Sequence, residues 1–396
     1  MNQGPSRPKT VALQFIILMG VVSLFGDIVY EGARGVTGPY LALLGASASV
    51  VGLVGGLGEF IGYALRLLSG FIADRTKAYW VLTFIGYALL FAVPLLAFAN
   101  LWWVAAIFII LERMGKAIRS PARDAILSHA TKEVGRGFGF GIHEALDQVG
   151  AIVGPLIFSL IFILGGDYHL GFSILWLPAL LTLLVLTIAR ARVPSPQKFE
   201  APEVSEEKSD GKIFSRVFLL YSLFTFLSVA GFANFQLVSY HLKIESIASD
   251  VQIPAFFAIA MGIDAIVALI VGKAYDRIGL RTLMIVPLLS LSIPFLAFSN
   301  SLSPVVIGVI LWGAVMGIHE TIMRAAVADL TPINRRGSAY GIFNTIYGSS
   351  WLLGGVIMGI LYDLSPVYLR TFAVILELLS IPAFFALEKA RGQRKT

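Results

Sequence analysis

The sequence predicts an all-α polytopic membrane protein with twelve transmembrane helices in two pseudo-symmetric six-helix bundles. Composition is the first observation behind this. Of the 396 residues, 57% are hydrophobic and 14% charged, with a mean hydropathy of +0.83, whereas about 25% of an average soluble domain is charged. The second is the pattern. Apolar residues form continuous runs of roughly 20, the helix length that crosses a bilayer, not the alternating strands of a barrel. Without water in the hydrocarbon, each run must satisfy its backbone groups internally, as a helix does. The third is repetition. Gly70-Phe71-Ile72-Ala73-Asp74-Arg75 returns as Gly272-Lys273-Ala274-Tyr275-Asp276-Arg277, and Arg136-Gly137 with Gly141-Ile142 returns as Arg336-Gly337 with Gly341-Ile342. Both copies lie about two hundred residues on, at equivalent places among the apolar runs, so one half has been duplicated.

Spans are expected at 11–33, 47–72, 79–98, 101–120, 137–164, 170–190, 214–239, 251–273, 281–299, 303–328, 337–361 and 367–389. The first apolar run, from Val11, is too long for a cleaved leader and is read as a span. Gly32, Gly35 and Gly38-Pro39 predict a break or bend at its outer end. Span two ends at the Asp74-Arg75 turn, and Ala99-Asn100 separates spans three and four. Span four carries Glu112, Arg113, Lys116, Arg119 and Arg123. Span five opens after Arg136-Gly137, and span six closes on Arg190 and Arg192. Pro194, Pro196, Pro202 and a run of Glu and Lys then mark a solvated linker. The second half repeats this plan: a turn at Asp276-Arg277, another at Ser299-Asn300-Ser301, Arg336-Gly337 before span eleven, and Lys389 with Arg391 after span twelve. The domains expected are 1–190, a linker at 191–213, and 214–396.

Lys and Arg concentrate in one set of loops: Arg7 and Lys9, Arg75 and Lys77, Lys132 and Arg136, the linker, Arg277 and Arg281, Arg335 and Arg336, and the C-terminal tail. The opposite loops hold little beyond Lys243 and Arg370. The positive-inside rule then puts both termini and the linker in the cytoplasm of a cell whose inner (plasma) membrane holds the chain. The net charge of +6 comes from these loops and does not point to nucleic acid. Zero cysteines exclude disulfides, thiolate metal sites and cysteine catalysis. No G-x-S-x-G, H-E-x-x-H or P-loop occurs, so no enzyme, cofactor or resident metal is expected.

These residues resemble the major facilitator superfamily over nearly the whole chain. The turn from Gly70 to Lys77 looks like that family's G-x-x-x-D-R-x-G signature, with Lys77 where a glycine stands; the second copy, Asp276-Arg277-Ile278-Gly279, keeps it. The resemblance implies a cytoplasmic gate in which the Asp meets a helix N-terminus and a nearby Arg. Its expected residues are Gly70, Asp74, Arg75, Arg123, Arg136, Asp276, Arg277 and Arg336. Gly150-Ala151-Ile152-Val153-Gly154-Pro155 in span five is similar to the family's exporter motif, though the later glycine pair is missing. Gly150 and Gly154 would let helices approach and Pro155 would bend the span.

Ionisable residues inside the spans carry the chemistry, since a central charge costs roughly 2.5 to 3.5 kcal/mol on insertion scales. Asp27, Glu31 and Arg34 share a face of span one, and Glu59 and Arg66 a face of span two. Arg113 is the functional candidate of span four. Span five adds His143, Glu144 and Asp147, with His143 and Asp147 spaced either for a proton relay or for a packing pair. The second half offers Asp264, His319 and Glu320, and Asn344 where the first half has Glu144. Glu31 with Arg34, and Glu320 with Arg324, also have the spacing of intrahelical ion pairs.

The function expected is secondary active transport by alternating access: proton-coupled export of a small organic or drug-like molecule. The alternatives are uptake of a small polar or anionic solute and movement of a metal or inorganic ion. Expected partners are a small-molecule substrate, protons and the lipid bilayer, for a functional monomer.

Overall fold

Apolar runs this long have nowhere to place backbone N–H and C=O groups except along their own axes. In the structure, a computed structural model, the described residues accordingly form helices and no strand. It describes residues 7–195, 215–331 and 336–392, without the side chains at 7, 8, 132, 133, 136, 137, 336 and 337. The expected linker at 191–213 lies largely outside these residues.

The helices are α1 (Arg7–Leu43), α2 (Ala48–Thr76), α3 (Tyr79–Ala88), α4 (Trp102–Val134), α5 (Arg136–Ile163), α6 (Tyr168–Ile174), α7 (Trp176–Arg192), α8 (Arg216–Ala230), α9 (Phe235–Ile244), α10 (Gln252–Ile278), α11 (Ile285–Ser290), α12 (Ile293–Ala297), α13 (Leu302–Leu330), α14 (Arg336–Leu364) and α15 (Pro366–Gly392). Tight 3₁₀ turns extend α3 to Phe98 and precede α11 from Gly279. Ten stretches are long and apolar enough to cross a membrane. One of them, Gln252–Ala297, has 46 residues, about twice what one crossing needs, and it divides at Gly279. α4 falls outside the ten because of its charges. Counting both gives twelve helical passages among the described residues.

The chain divides into two compact units. One comprises Met1–Ala33 and Leu65–Glu206, the other Arg34–Ala64 and Glu207–Thr396. α1 and α2 therefore each pass from one unit into the other.

Within the first unit, glycines set how closely helices meet. A side chain on Gly154 would lie 2.5 Å from the Ile28 carbonyl of α1, and one on Gly150 2.5 Å from that of Leu24. Gly86 of α3 and Gly115 of α4 face each other in the same way. Lipid tails are as apolar as leucine, so in the bilayer such close contact replaces the hydrophobic effect as the source of helix association. α5 runs through Pro155 as a continuous helix.

The second unit uses the same device. Gly52 and Gly56 of α2 cross Gly355 and the Trp351 carbonyl of α14, and Gly313 and Gly317 of α13 sit on the Ala260 and Asp264 carbonyls of α10. α1 is not broken at its outer end as its sequence suggests: helix continues through Pro39 to Leu43. The glycines there serve approach instead, Gly38 lying on the Gln236 carbonyl and Ser239, and Gly35 on Phe257. The true interruptions come later. The chain leaves helix between α8 and α9, and Asn234 restarts it by accepting from Leu237 N at 2.9 Å.

The duplication is also written in the backbone. Lys77 and Gly279, matched in the repeat, both take left-handed φ, +54° and +62°. Each closes the turn after an Asp-Arg pair, a position where glycine carries no steric penalty and lysine does.

Candidate functional site

The first unit holds an ionic core contributed by α1, α4 and α5. From α4, Lys116 reaches Glu31 of α1, Nζ to Oε1 3.9 Å, and its ammonium lies 3.7 Å from the centre of the Tyr30 ring. Arg113 is buried beside it. It donates to the Tyr30 hydroxyl, and its guanidinium sits 4.5 Å from the same ring. One tyrosine thus receives two cations, an arrangement favoured where water is excluded. Glu112 balances Arg113 and Arg119 at 3.7 Å each. Asp27 is half-buried and, with Arg66 of α2, lies within electrostatic reach of Lys116.

On α5, His143 and Asp147 meet as their spacing of four predicts, Nδ1 to Oδ2 3.6 Å. The other ring nitrogen of His143 is 2.9 Å from Ser23 Oγ of α1. Ser23 also accepts from Arg123 at 3.0 Å and lies 3.3 Å from the Tyr87 hydroxyl. Arg123 reaches Asp147 at 4.0 Å and Asp124 at 2.9 Å. The result is a chain of exchangeable groups, Asp147, His143, Ser23 and Tyr87, with a guanidinium alongside. Ser23 and Tyr30 of α1 and Tyr87 of α3 meet partners on other helices, so no spacing in the sequence announces them. Glu144 is on the exposed side of α5, bonded to Gln148 at 3.4 Å.

In the second unit Arg34 donates to Glu59 at 3.1 Å, joining α1 to α2, and lies 5.9 Å from the Phe257 ring centre. Around the interruption between α8 and α9 the site is aromatic rather than ionic. Phe232 stacks on Trp312 at 5.4 Å and meets Trp351 and His319 edge-on. Trp312 donates to the Ala233 carbonyl at 2.8 Å, satisfying backbone that the break exposes. His319 is buried, packs against Tyr347 at 6.4 Å, and has no hydrogen-bond partner on either ring nitrogen among the described residues. Glu320 is half-buried near Arg324, which also bonds Tyr63. Asp264 is buried where Gly317 leaves room, and Asn344 is half-buried on α14. Interrupted membrane helices with unspent polar groups are where transporters hold their ligands.

Asp74 and Arg75 are exposed at the end of α2, and the structure gives neither an ion pair among the described residues. Gly70 adjoins Pro121 of α4. Arg123, expected opposite Asp74, is instead engaged by Ser23, Asp124 and Asp147, because α4 turns it toward α1 and α5. The side chains of Arg136 and Arg336 lie outside the described residues. Asp276 and Arg277 are exposed and line a cleft of about 850 Å³ with Tyr275, Asp329 and Glu388.

One contact that no motif in the sequence announces lies at the start of α2. Asp363, closing α14, accepts from Ala48 N at 2.9 Å and Ser49 N at 2.8 Å and from the Ser49 hydroxyl. Its carboxylate therefore caps the N-terminus of α2, the arrangement the positive end of a helix favours.

Comparisons with known proteins agree with this fold. The profile described as the Major Facilitator Superfamily matches residues 23–355 and 242–396. An uncharacterized protein of Mycobacterium tuberculosis is 42% identical over 98% of this chain and 96% of its own. Multidrug resistance protein MdtH of Photorhabdus laumondii is 34% identical over 30% of each chain. The crystal structure of nucleoside transporter NupG superposes with a TM-score of 0.71 at 15% identity, over 95% of this chain and 98% of that one. This chain of helical passages, with its ionic core and interrupted helices, belongs to the Major Facilitator Superfamily.

Proposed function

We propose that this transporter exports a small organic, drug-like molecule in exchange for protons, by alternating access. The observation that carries the reading is the ionic core of the first unit. There Asp147 stands 3.6 Å from His143 and 4.0 Å from Arg123, with Glu31 3.9 Å from Lys116. Protonating Asp147 or Glu31 would release the cation it faces, and in a poorly solvated site that changes local electrostatic energy enough to drive a rearrangement. The aromatic cluster around Phe232, Trp312 and Trp351 suits a planar apolar group of the substrate. The likeness to MdtH, confined to about a third of each chain, supports export.

The lysines and arginines of the loops support a plasma membrane location with both termini cytoplasmic. The exposed Asp74-Arg75 and Asp276-Arg277 pairs are proposed to work as cytoplasmic gates, and Gly150, Gly154 and Pro155 as the packing seam and bend of α5. A second reading, uptake of a small polar or anionic solute, draws on the basic side of the same core, Arg113, Lys116 and Arg66. Metal transport has less to rest on, since no three His, Asp or Glu side chains converge among the described residues.

Everted vesicles supplied externally with fluorescent drug-like cations test the proposal. Accumulation should require an inside-acid gradient and be abolished by Asp147→Asn. Accumulation indifferent to the gradient, or retained in full by the variant, would overturn it.

A further inference from the structure

Glu377 is the most enclosed acid of the second unit. It lies mid-way along α15 with 0% of its surface exposed, and neither carboxylate oxygen has a hydrogen-bond partner among the described residues. No ion pair to it is present among those residues. A carboxyl group in hydrocarbon without a counter-charge is among the costliest things a membrane helix can carry. It reads as an ordinary apolar stretch in sequence, one Glu within Ile375-Leu376-Glu377-Leu378-Leu379.

Its surroundings are oxygens. The hydroxyls of Ser228 on α8, Ser290 on α11 and Ser380 on α15 are its interacting neighbours. Ser228 and Ser290 are buried, at 0% and 2% exposure, and their hydroxyls also have no partner. Ser380 gives its proton to the Glu377 backbone carbonyl at 2.7 Å, which leaves its lone pairs for another group. Two carboxylate oxygens and three hydroxyl oxygens, from three helices, thus share one buried neighbourhood.

The backbone adds to the same sign. α8 ends at Ala230, two residues beyond Ser228, and Gly231 leaves the space that Glu377 Cγ occupies, 3.3 Å from where a side chain would begin. The C-terminal, electronegative end of a 15-residue helix therefore points to this place. Ser290 is the last residue of α11, and Pro294, four residues on, has no N–H for the Ser290 carbonyl. A buried acid, a helix C-terminus and a carbonyl without its i+4 donor all call for positive charge, yet among the described residues no Lys or Arg pairs with the acid.

We propose that Glu377, Ser228, Ser290 and Ser380 form a binding site for a monovalent hard cation, Na⁺. Hydroxyl and carboxylate oxygens suit hard ions, and broken membrane helices that present carbonyls are where transporters hold Na⁺. A single positive charge neutralises one carboxylate, whereas a divalent ion would leave net charge in the bilayer. A proton on Glu377 would neutralise the acid, but its single O–H can serve only one of the Ser228 and Ser290 oxygens. The site is a matter of binding and stands apart from the proton-coupled reading.

Purified full-length protein in detergent tests it. Its thermal midpoint should rise saturably with NaCl at constant ionic strength, not with choline chloride, and it should bind ²²Na⁺. Glu377→Gln, a neutral isostere, should fold and lose both responses. Ser228→Ala and Ser290→Ala should each weaken binding about 10-fold or more. Equal midpoints in sodium and choline with no ²²Na⁺ bound would overturn the proposal and leave Glu377 as a protonated acid. Full Na⁺ binding by Glu377→Gln would overturn it too.

Discussion

Arg34 and Glu59 bind each other at 3.1 Å from α1 to α2, with side chains only 6% and 9% exposed. A pair so enclosed is strong against loss of one member and weak against loss of both. Removing a single partner strands a buried charge, at about 3 to 5 kcal/mol, while replacing the pair with apolar groups of similar volume is near neutral. Glu59→Ala should therefore lower the thermal midpoint sharply, and Arg34→Met with Glu59→Leu should recover most of the loss. Additive losses in the double variant would show that the two residues act separately.

Lys77 stands in left-handed backbone, φ +54°, where its repeat partner is Gly279. The Cβ penalty there is about 1 to 2 kcal/mol. Lys77→Gly should raise stability by about 1 kcal/mol, and Gly279→Ala, at φ +62° and ψ −142°, should lower it by about 1 to 3 kcal/mol. Unfolding midpoints measured side by side check both signs; a drop for Lys77→Gly would mean that its ammonium, 5.9 Å from the centre of the Tyr79 ring, contributes more than the strain.

Asp363 accepts two backbone N–H bonds at the start of α2. Loss of such a cap costs about 1 kcal/mol. Asp363→Ala should loosen the first turn of α2. The chain has no cysteine of its own, so a single cysteine at Val50 reports this cleanly, and its labelling rate should rise several-fold, about 5-fold for a loss of 1 kcal/mol. An unchanged rate would show that the Gly52 and Gly56 seam holds α2 without the cap.

Gly154 has the Ile28 carbonyl 2.5 Å from any side chain it might bear, and Gly141 on the same helix has open space. Gly154→Val should force α1 away from α5, costing about 1 to 3 kcal/mol and cutting transport, while Gly141→Val should be tolerated on packing grounds. Equal tolerance at both positions would mean the α1–α5 seam readily opens.

Helices and their approximate limits were legible because lipid imposes a simple rule on each segment separately. The two crossings in Gln252–Ala297 are separable at Asp276-Arg277 for that reason, and α4 is readable because its apolar residues outnumber its charges. Contacts inside one helix were legible too, as His143 with Asp147. What the sequence conceals is any relationship between helices. Ser23, Tyr30 and Tyr87 look like lipid-tolerant small or aromatic residues until α1, α3 and α4 are packed. Asp363 reads as a loop acid, and Glu377 as a lone interruption in an apolar run. Proline misleads in the opposite direction: at Pro39 close packing preserves the helix, while the interruption between α8 and α9 contains no proline at all.

The charge load of α4 has a consequence for how the protein is made. Glu112, Arg113, Lys116 and Arg119 would each burden an isolated segment by about 2.5 to 3.5 kcal/mol at mid-membrane, more than its apolar residues return. Their counterparts, Glu31 and Tyr30 on α1 and Tyr87 and the Gly86 carbonyl on α3, are synthesised earlier. α4 can leave the insertion channel only against helices already waiting beside it. Assembly of this half is thereby ordered by synthesis, and a ribosome paused after α4 would hold a half-built bundle rather than four independent spans.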